Sequence, residues 1–364
     1  MVTAAEPPDD LAGGFLAPEL AKVLLDVLDL ERALLETVLA NVILHRERLS
    51  SYTGAVPEFP DVEVYVSCLK PRVVGRDLER IRLLRSFVLR SVTPAIDTAH
   101  GKTVRSVRRL GKRIVFDLTD GLSLVVHLKI AGRLRWRDRD TAIPKKLGLA
   151  AFDFSTGTLL LTEAGSHRRA SLHLVRGATG LRAHDRGGLE VLGSDRTTFA
   201  AALTRENHTV KRSLTDPRLF SGIGNAYSDE ILHAARLSPL RLTSRLTTDE
   251  IGRLHDATQA TLRLWVDRLR KEVGDRFPEK VTAFRDDMAV HGRYRKPCPV
   301  CGAPIQRIVY AKNEANYCAT CQTGGKLLAD RAISRLLKRD WPRTLEAWEE
   351  MRARGSDEPV KEPL

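Results

Sequence analysis

Two C-x-x-C pairs near the C-terminus constrain this chain more than any other feature of its sequence. Cys298 and Cys301 are followed, after sixteen residues, by Cys318 and Cys321. Two such pairs can place four thiolates around one point, which is the tetrahedral arrangement that Zn²⁺ prefers. The alternatives are chance pairs or disulfide bonds, but the spacing lies in the zinc range and nothing in the sequence indicates secretion. Because four thiolates leave no coordination position for water, we expect one structural zinc ion.

The residues between the two cysteine pairs predict a β-hairpin that the metal would hold together. Residues 306–310 alternate like a strand, and residues 315–317 lead back toward the second pair. Basic and aromatic residues surround the predicted metal site: Arg293, Tyr294, Arg295, Lys296, Arg307 and Lys312. A small basic hairpin of this kind is suited to contacting phosphate groups.

Length and charge limit the classes of protein that the chain can be. It has 364 residues, enough for two or three domains, and a formal net charge of +13. Such a charge favours a polyanionic partner, with nucleic acid first, although a basic enzyme without such a partner is the alternative. No apolar run approaches the roughly 18–20 residues that a membrane span needs. The fifth cysteine, Cys68, has no partner in sequence, so we expect a reducing cytoplasm and a core position for Cys68.

The charge changes sign at one point of the chain. Residues 1–56 hold four Lys/Arg and nine Asp/Glu, a net of −5, so the remainder carries +18. Residues 1–16 are predicted to be disordered, and Leu20–Leu49 is predicted to form one helix, unbroken or broken once. We therefore treat residues 1–56 as an acidic N-terminal extension, with a domain boundary just before Pro57.

The pattern of apolar residues divides the rest of the chain into a β part and a helical part. A helix is predicted over Asp61–Leu69, ended or kinked by Pro71. Short strands with Asp-Gly and Thr-Gly turns then indicate a sandwich or barrel; they are 78–83, 104–107, 113–118, 122–128, 132–136, 147–154, 159–162 and 170–175. From about Gly187 the pattern predicts helices, at 197–204, 209–214, 226–235, 248–272 and 280–284.

A turn-rich stretch between two of these helices, Asp216–Asn225, is a candidate for anion binding. Gly222 and Gly224 allow backbone conformations that few other residues adopt. Asn225 then lies at a helix N-terminus, where free N–H groups favour an anion. Lys211 and Arg212, just upstream, are predicted to meet the same phosphate. The alternative is an ordinary helix–helix connection with an Asn cap.

The chain from Pro57 to about Lys326 resembles the formamidopyrimidine/endonuclease VIII-like (Fpg/Nei) DNA glycosylases, and the resemblance covers roughly three quarters of the sequence. Four motifs occur in the family's order and are followed by the four-cysteine zinc finger. They are the opening Pro57–Glu63, a lysine hairpin at Arg109–Arg113, an intercalation loop at His127–Leu134, and a helix–two-turn–helix signature at Ser221–Asn225.

The resemblance implies an α+β multidomain fold with four parts after the extension. These are a β-sandwich catalytic domain (57–186), a helix–two-turn–helix domain (187–290), a zinc finger (291–325) and a C-terminal helical tail (326–364). It also implies a monomer that acts on damaged double-stranded DNA in a bacterial cytoplasm, associated with the nucleoid. Glycosylase and abasic-site lyase activities would excise an oxidised or ring-opened base and cleave the strand.

The same resemblance assigns roles to particular residues. Pro57 would be the amine nucleophile that attacks C1′ of the damaged nucleoside, and Glu58 would act as acid toward the sugar ring oxygen. Lys112 would hold phosphate or shuttle a proton, whereas a solvated hairpin cation is its alternative. Ile130 would be the wedge that fills the space of the extruded base, unless it is a strand core residue. The remaining DNA contacts would be Lys211, Asn225, Arg168, Arg169, Lys312 and Asn313.

The sequence departs from the family in three places. An amide nitrogen cannot form an iminium ion, and 56 residues precede Pro57, so we expect residues 1–56 to be absent from the working protein. Asn313 stands where the family has an arginine, and Glu163–Arg169 replaces the loop that carries the family's paired arginines. Two other functions stay open: a catalytically silent protein of the same fold that binds damaged DNA, and a zinc-containing RNA-binding protein.

Overall fold

The computed structural model describes residues 56–165, 167–279, 281–282, 285–310, 313–329 and 342–356. It begins with helix α1 (Phe59–Val73) and continues with eight strands in one antiparallel array. The strands are β1 (Asp77–Leu83), β2 (Lys102–Leu110), β3 (Arg113–Leu118), β4 (Leu122–His127), β5 (Gly132–Arg137), β6 (Gly148–Phe154), β7 (Gly157–Glu163) and β8 (Ser171–Arg176).

The eight strands form two four-stranded halves, β5-β7-β6-β1 and β2-β3-β4-β8. Only a short pairing of Asp77 with Thr103 and of Leu78 with Lys102 joins them. Their inner faces meet, since the rings of Phe116 and Phe152 stack with centroids 6.5 Å apart in one buried cluster. The sandwich prediction is therefore confirmed. Alternating apolar side chains on each strand supply the two inner faces.

Helices dominate the chain after β8, as the change of pattern predicts. They are α2 (Gly177–Arg182), α3 (Arg196–Thr204), α4 (Val210–Thr215), α5 (Asn225–Ala234) and α6 (Thr248–Val273). Their buried apolar residues form a second core around Phe199, Phe220 and Tyr227. Phe59, from the start of α1, is buried in this helical core. The chain segment around Phe59 therefore connects the sandwich to the helical domain.

The cysteine region forms the predicted hairpin. Strands β9 (Ile305–Tyr310) and β10 (Asn313–Cys318) pair antiparallel, with Cys318 opposite Ile305. A short helix, α7 (Ala319–Thr323), follows, and helix α8 spans Leu345–Ser356.

Two elements differ from their predicted bounds. Helix α1 continues past Pro71 to Val73, so Pro71 does not end it. Proline removes a single backbone N–H, and in the last helical turn this leaves most of the ladder intact. Val281 and Thr282, the two residues of the predicted helix 280–284 that the structure describes, are not helical. Val281 instead contributes to the sandwich core.

Several predictions concern segments outside the described residues, namely the extension 1–55, Lys312 and residues 330–341 and 357–364 of the tail. Among the residues that the structure describes, no helix combines the length and the apolar character that crossing a membrane requires.

Candidate functional site

The carboxylate of Glu58 caps the N-terminus of α5. Its oxygens accept hydrogen bonds from the backbone N–H groups of Gly224 (2.8 Å), Ala226 (3.0 Å) and Tyr227 (3.2 Å). The first N–H groups of a helix have no partner within the helix, and the helix dipole favours a negative charge at this end. Glu58 is only 3% exposed. The first residues after Pro57 are therefore held firmly against the helical domain.

Lys112 reaches the same point from the sandwich. It lies in the tight turn between β2 and β3, and its ammonium and the Glu58 carboxylate converge on Gly224. A Cβ added at Gly224 would overlap both groups. The structure thus brings together Glu58, Lys112 and the glycine before Asn225, which lie in three separate sequence motifs. Lys112 is half-buried at this junction, not fully exposed.

Arg109 joins the three segments that build this junction. Its guanidinium donates to Glu63 of α1 (2.8 Å), to the carbonyl of Gly111 (2.9 Å) and to the hydroxyl of Ser221 (3.1 Å). It also forms an ion pair with Glu190 and lies 3.9 Å above the ring of Phe59. The Arg109 side chain is 6% exposed. The five donors of arginine suit a position where several acceptors converge.

Gly222 completes this contact between domains. Its φ of +81° lies in the region that favours glycine. A Cβ there would lie 3.1 Å from both Arg109 and Phe59. Its carbonyl also accepts the N–H of Phe59 at 2.9 Å. The two glycines of the predicted signature thus allow the lysine turn and α1 to approach the backbone closely.

A buried acid, Asp61, lies behind Glu58. Its Oδ2 accepts the backbone N–H of Glu58 at 2.9 Å, and its Oδ1 has no hydrogen-bond partner among the residues that the structure describes. Burial raises the pKa of Asp61 to about 7, the neighbouring charge of Glu58 adds to this, and the Glu58 N–H bond opposes it. The hydroxyl of Tyr227 is also buried and has no hydrogen-bond partner in the described part of the chain. Asp61 is therefore a titratable group directly attached to the candidate site.

Asn225 is the first residue of α5, as predicted, but the anion at this helix end is the carboxylate of Glu58 and not a bound phosphate. The N–H groups that we expected to bind an external phosphate donate to Glu58 instead. A carboxylate supplied by a distant chain segment satisfies these donors without a ligand. The side chain of Asn225 is half-buried at the rim of the site.

Lys211 differs from its predicted role as a direct phosphate contact. Its ammonium is buried and donates to the carbonyl of Asn225 (3.1 Å), the hydroxyl of Ser228 (2.9 Å) and the carboxylate of Asp229 (2.5 Å). An ammonium has three N–H donors, and these three acceptors use all of them. Lys211 therefore stabilises the first turn of α5 from within. The sequence pattern does not indicate this, because it does not show which face of α4 is covered.

Ile130 and the loop with Arg168 and Arg169 extend from the same end of the sandwich. Ile130 is 39% exposed in the turn between β4 and β5, which excludes a strand core position. Gly132, just after this turn, pairs with Glu163, the residue before the loop. The buried carboxylate of Glu163 accepts the backbone N–H of Arg169 at 2.9 Å and so anchors the end of the loop. Ile130 and the loop that carries the two arginines therefore lie at the same end of the sandwich.

The four predicted cysteine ligands converge as a zinc centre requires. Their sulfur atoms all lie within 4.8 Å of one another, with Cys298 and Cys321 3.9 Å apart and Cys301 and Cys318 3.4 Å apart. Tetrahedral Zn–S bonds of about 2.3 Å place sulfurs roughly 3.8 Å apart, so these residues fit one structural zinc ion. The prediction of zinc is confirmed.

The sequence analysis missed the residues that attach the zinc finger to α5. His233 of α5 lies with its Nε2 3.3 Å from the sulfur of Cys298. Asp229 contacts His291 at 2.8 Å and accepts the backbone N–H of Asn316 in β10 at 3.1 Å. Asp229 and His233 lie on one face of α5. Their i, i+4 spacing is the sequence signal that could have grouped them.

Family models match the three parts of the chain that carry this geometry. Residues 56–174 match the formamidopyrimidine-DNA glycosylase N-terminal domain, residues 189–274 match its H2TH domain, and residues 295–324 match a zinc finger found in FPG and IleRS. The formamidopyrimidine-DNA glycosylase of Desulforamulus reducens is 31% identical over 281 residues, which are 73% of this chain and 99% of that protein.

Solved structures show the same architecture. The structure of the MutM (Fpg) protein from Thermus thermophilus is similar, with a TM-score of 0.62 and 32% identity over 73% of this chain and 98% of that one. A Lactococcus lactis FPG mutant in complex with a Fapy-dG-containing DNA gives a TM-score of 0.64 and 25% identity, over 73% of this chain and 100% of that one.

Proposed function

The chain belongs to the formamidopyrimidine-DNA glycosylase family, and from this we propose that it is a DNA repair glycosylase that also cleaves the resulting abasic site. Its substrate class is duplex DNA with an oxidised or ring-opened base. The observation that carries the proposal is the convergence of Glu58 and Lys112 on Gly224, beside Pro57. We also propose that it acts as a monomer at bacterial DNA.

The proposed reaction begins at the nitrogen of Pro57 when this nitrogen is an amine. Its lone pair attacks C1′ of the damaged nucleoside, the C1′–N bond to the base breaks, and the proline nitrogen, once it has lost its proton, is left bonded to C1′ of the closed sugar. Glu58 donates a proton to the sugar ring oxygen, the C1′–O bond breaks, and the open sugar is held to proline as an iminium ion. The iminium then acidifies a proton on C2′. Loss of this proton breaks the C3′–O bond and cleaves the strand.

The remaining predicted residues bind and position the DNA in this proposal. Lys112 holds a phosphate or moves a proton beside Glu58, and Ile130 fills the space that the extruded base leaves. Backbone contacts come from the part of the protein around Arg168, Arg169, Asn225, Lys312 and Asn313. Such contacts position the duplex without reading its sequence. Lys211 contributes indirectly, by stabilising the first turn of α5.

The domain division that we propose follows these roles. The sandwich (57–186) supplies Glu58, Lys112 and Ile130, and the helical domain (187–290) supplies Gly224 and Asn225. The zinc finger (291–325) and the tail (326–364) complete the chain after its extension (1–56).

A second function is favoured by one specific observation. In the full chain the nitrogen of Pro57 is bonded to the carbonyl carbon of Val56, so its lone pair is delocalised in an amide. Such a protein could bind damaged DNA through the same surface without performing the lyase step.

Borohydride trapping on a duplex that contains an abasic site separates the two functions. We expect a covalent adduct from a chain that begins at Pro57 and none from a matched chain that begins at Val56, because one added residue acylates the nitrogen. Both chains should bind a duplex with a non-cleavable abasic analogue. Glu58→Gln in the Pro57 chain should lower excision far more than binding. Equal trapping by both chains would show that another side chain is the nucleophile.

A further inference from the structure

A buried group of charges joins α5 to the chain segment that leads into the zinc finger. Asp229 is 1% exposed and His291 is 4% exposed. The Oδ2 of Asp229 contacts the Nδ1 of His291 at 2.8 Å and accepts the backbone N–H of Asn316 in β10 at 3.1 Å. Its Oδ1 accepts a hydrogen bond from the ammonium of Lys211 at 2.5 Å. One carboxylate therefore contacts the helical domain, the entry to the zinc finger and the zinc hairpin.

The next residue of α5, Glu230, restrains the same segment through its backbone. Its carboxylate accepts the N–H groups of Ala289 (2.7 Å), Val290 (2.9 Å) and His291 (3.0 Å). Hydrogen bonds to a carboxylate are stronger than bonds between neutral groups, so the backbone at His291 is firmly held. The fold thus places the imidazole of His291 against Asp229, and the charge of the imidazole is the property that can change.

This ion network also reaches the first turn of α5. Asn225 and Asp229 are four residues apart and lie on one face of the helix. The ammonium of Lys211, which pairs with Asp229, also donates to the carbonyl of Asn225 at 3.1 Å. The attachment of the zinc finger and the position of Asn225 therefore depend on the same buried charges.

We propose that Asp229 and His291 are positioning residues for DNA binding, which hold the zinc finger at a fixed place relative to Asn225. In the proposed complex the DNA backbone is contacted near Asn225 and also near Asn313, at the start of β10. A shift of the zinc finger against α5 would change the spacing of these two contacts. This inference rests on the proposed DNA glycosylase function and adds to it two residues that act from inside the protein.

The contact between Asp229 and His291 is strongest when the imidazole is charged. Burial opposes the charged ring, but the bond to Asp229 outweighs burial and raises the pKa of His291 above its ordinary value of 6.5. The other charged groups around the pair are Lys211 on α4, Glu58 before α1, Glu230 on α5, and Glu314 on β10, which accepts from Asn316 and pairs with Arg307.

The sign of the expected pH dependence follows from this raised pKa. The stabilising effect of the charge is complete below about pH 6.5 and is lost as pH rises through the pKa of folded His291. The zinc finger should therefore be held less firmly at alkaline pH. Metal binding has the opposite trend, because thiolates lose their protons as pH rises and then bind zinc more tightly.

The affinity of the full chain for duplex DNA, measured from about pH 6 to about pH 9 at fixed salt, tests the pair. The probe is a duplex with a non-cleavable abasic analogue. His291→Gln keeps an N–H donor for Asp229 but cannot become charged. At the acidic end we expect the wild type to bind up to about tenfold more tightly than His291→Gln, which requires the pKa of His291 to differ by about 1 between free and bound protein. At the alkaline end the two affinities should converge.

Two outcomes of this titration would refute the positioning pair. One is equal affinity of both proteins at every pH, and the other is a constant ratio, which a purely structural role of His291 would give. His255→Gln is the matched control, because His255 is also buried and contacts a carboxylate, Asp256 at 2.9 Å, but lies in α6. It should keep the wild-type pH dependence. Zinc content, measured at each pH, should stay constant.

A second measurement uses the wild-type protein alone. If protonation of His291 favours DNA binding, then DNA binding must raise the pKa of His291, because coupling between two binding equilibria is reciprocal. NMR titration of this imidazole should give a higher pKa in the DNA complex than in the free protein. An unchanged or lower pKa in the complex would overturn the inference.

The two proposals fail in distinguishable ways. If the wild-type protein does not bind the duplex at all, both the proposed function and the positioning pair fail. If it binds and His291→Gln follows the wild-type pH curve, only the positioning pair is refuted.

Discussion

The Glu58 carboxylate accepts the backbone N–H of Gly224 at 2.8 Å, across 166 residues of sequence. This bond and its two neighbours attach the start of the sandwich domain to the start of α5. The residue next to Pro57 therefore has a fixed position relative to Asn225 and Lys112. For the amine and acid roles that we propose for Pro57 and Glu58, this contact positions both groups together.

Gly224→Ala should disable the site without disturbing the fold. The backbone of Gly224 has φ −133°, which alanine adopts readily, but the new Cβ would overlap Lys112 Nζ and the Glu58 carboxylate. Small displacements of reacting groups cost about 100-fold in rate, and we expect a loss of excision activity of this size. Gly193→Ala is the control, because a Cβ there meets no atom within 4 Å. Full activity of Gly224→Ala would contradict the inference that the close approach of Glu58 and Lys112 to Gly224 is needed for excision.

Arg109→Gln should lower both stability and activity, whereas Arg108→Gln should lower neither strongly. Arg109 is buried and ties Glu63, Ser221 and Glu190 together, so its loss should cost roughly 3 kcal/mol in the free energy of unfolding. Arg108 is 41% exposed and pairs with Asp117 alone, for which about 1 kcal/mol or less is expected. Urea unfolding measures the difference; similar losses in the two variants would contradict the role of Arg109.

Asp61→Asn should change how stability depends on pH. The pKa of Asp61 is about 7 in the folded protein against an ordinary value of 3.8, so the folded state holds this proton more tightly. Its contribution is complete below the unfolded pKa and is lost as pH rises through the folded pKa. Between these values the wild-type free energy of unfolding should fall more steeply with pH than that of Asp61→Asn.

Urea titrations at several pH values measure both slopes. Asp267→Asn, at an exposed position of α6, serves as the control and should keep the wild-type slope. Parallel curves for wild type and Asp61→Asn would show that Asp61 does not hold the proton.

Removal of zinc should weaken DNA binding. We expect one zinc ion per chain, and Cys301→Ser should lose most of it, because three thiolates and a hydroxyl form a poorer site. The hairpin β9–β10 would then lose its attachment at Cys318, and the affinity for duplex DNA should fall. Cys68→Ala is the control, because Cys68 lies against Val64 and Leu269, away from the metal. Metal analysis measures the zinc content of the two variants, and a binding titration measures their affinity for duplex DNA. An affinity that is unchanged after chelation of zinc would contradict the prediction that zinc supports DNA binding.

The sequence alone determined the elements and the zinc ligands of this protein. Strand alternation, helical periodicity and the spacing of cysteines are local properties, and β3 (Arg113–Leu118) was predicted with its observed bounds. The motifs containing Glu58, Lys112 and Asn225 were also visible as separate stretches.

Only the tertiary structure decided which of these motifs contact one another. The anion at the N-terminus of α5 is Glu58, and Lys211 is buried against Asp229. The sequence does not show whether a charged side chain is solvated, is paired with another residue or is free to bind a ligand. The partners that distinguish these cases can lie more than a hundred residues away, as Gly224 does from Glu58.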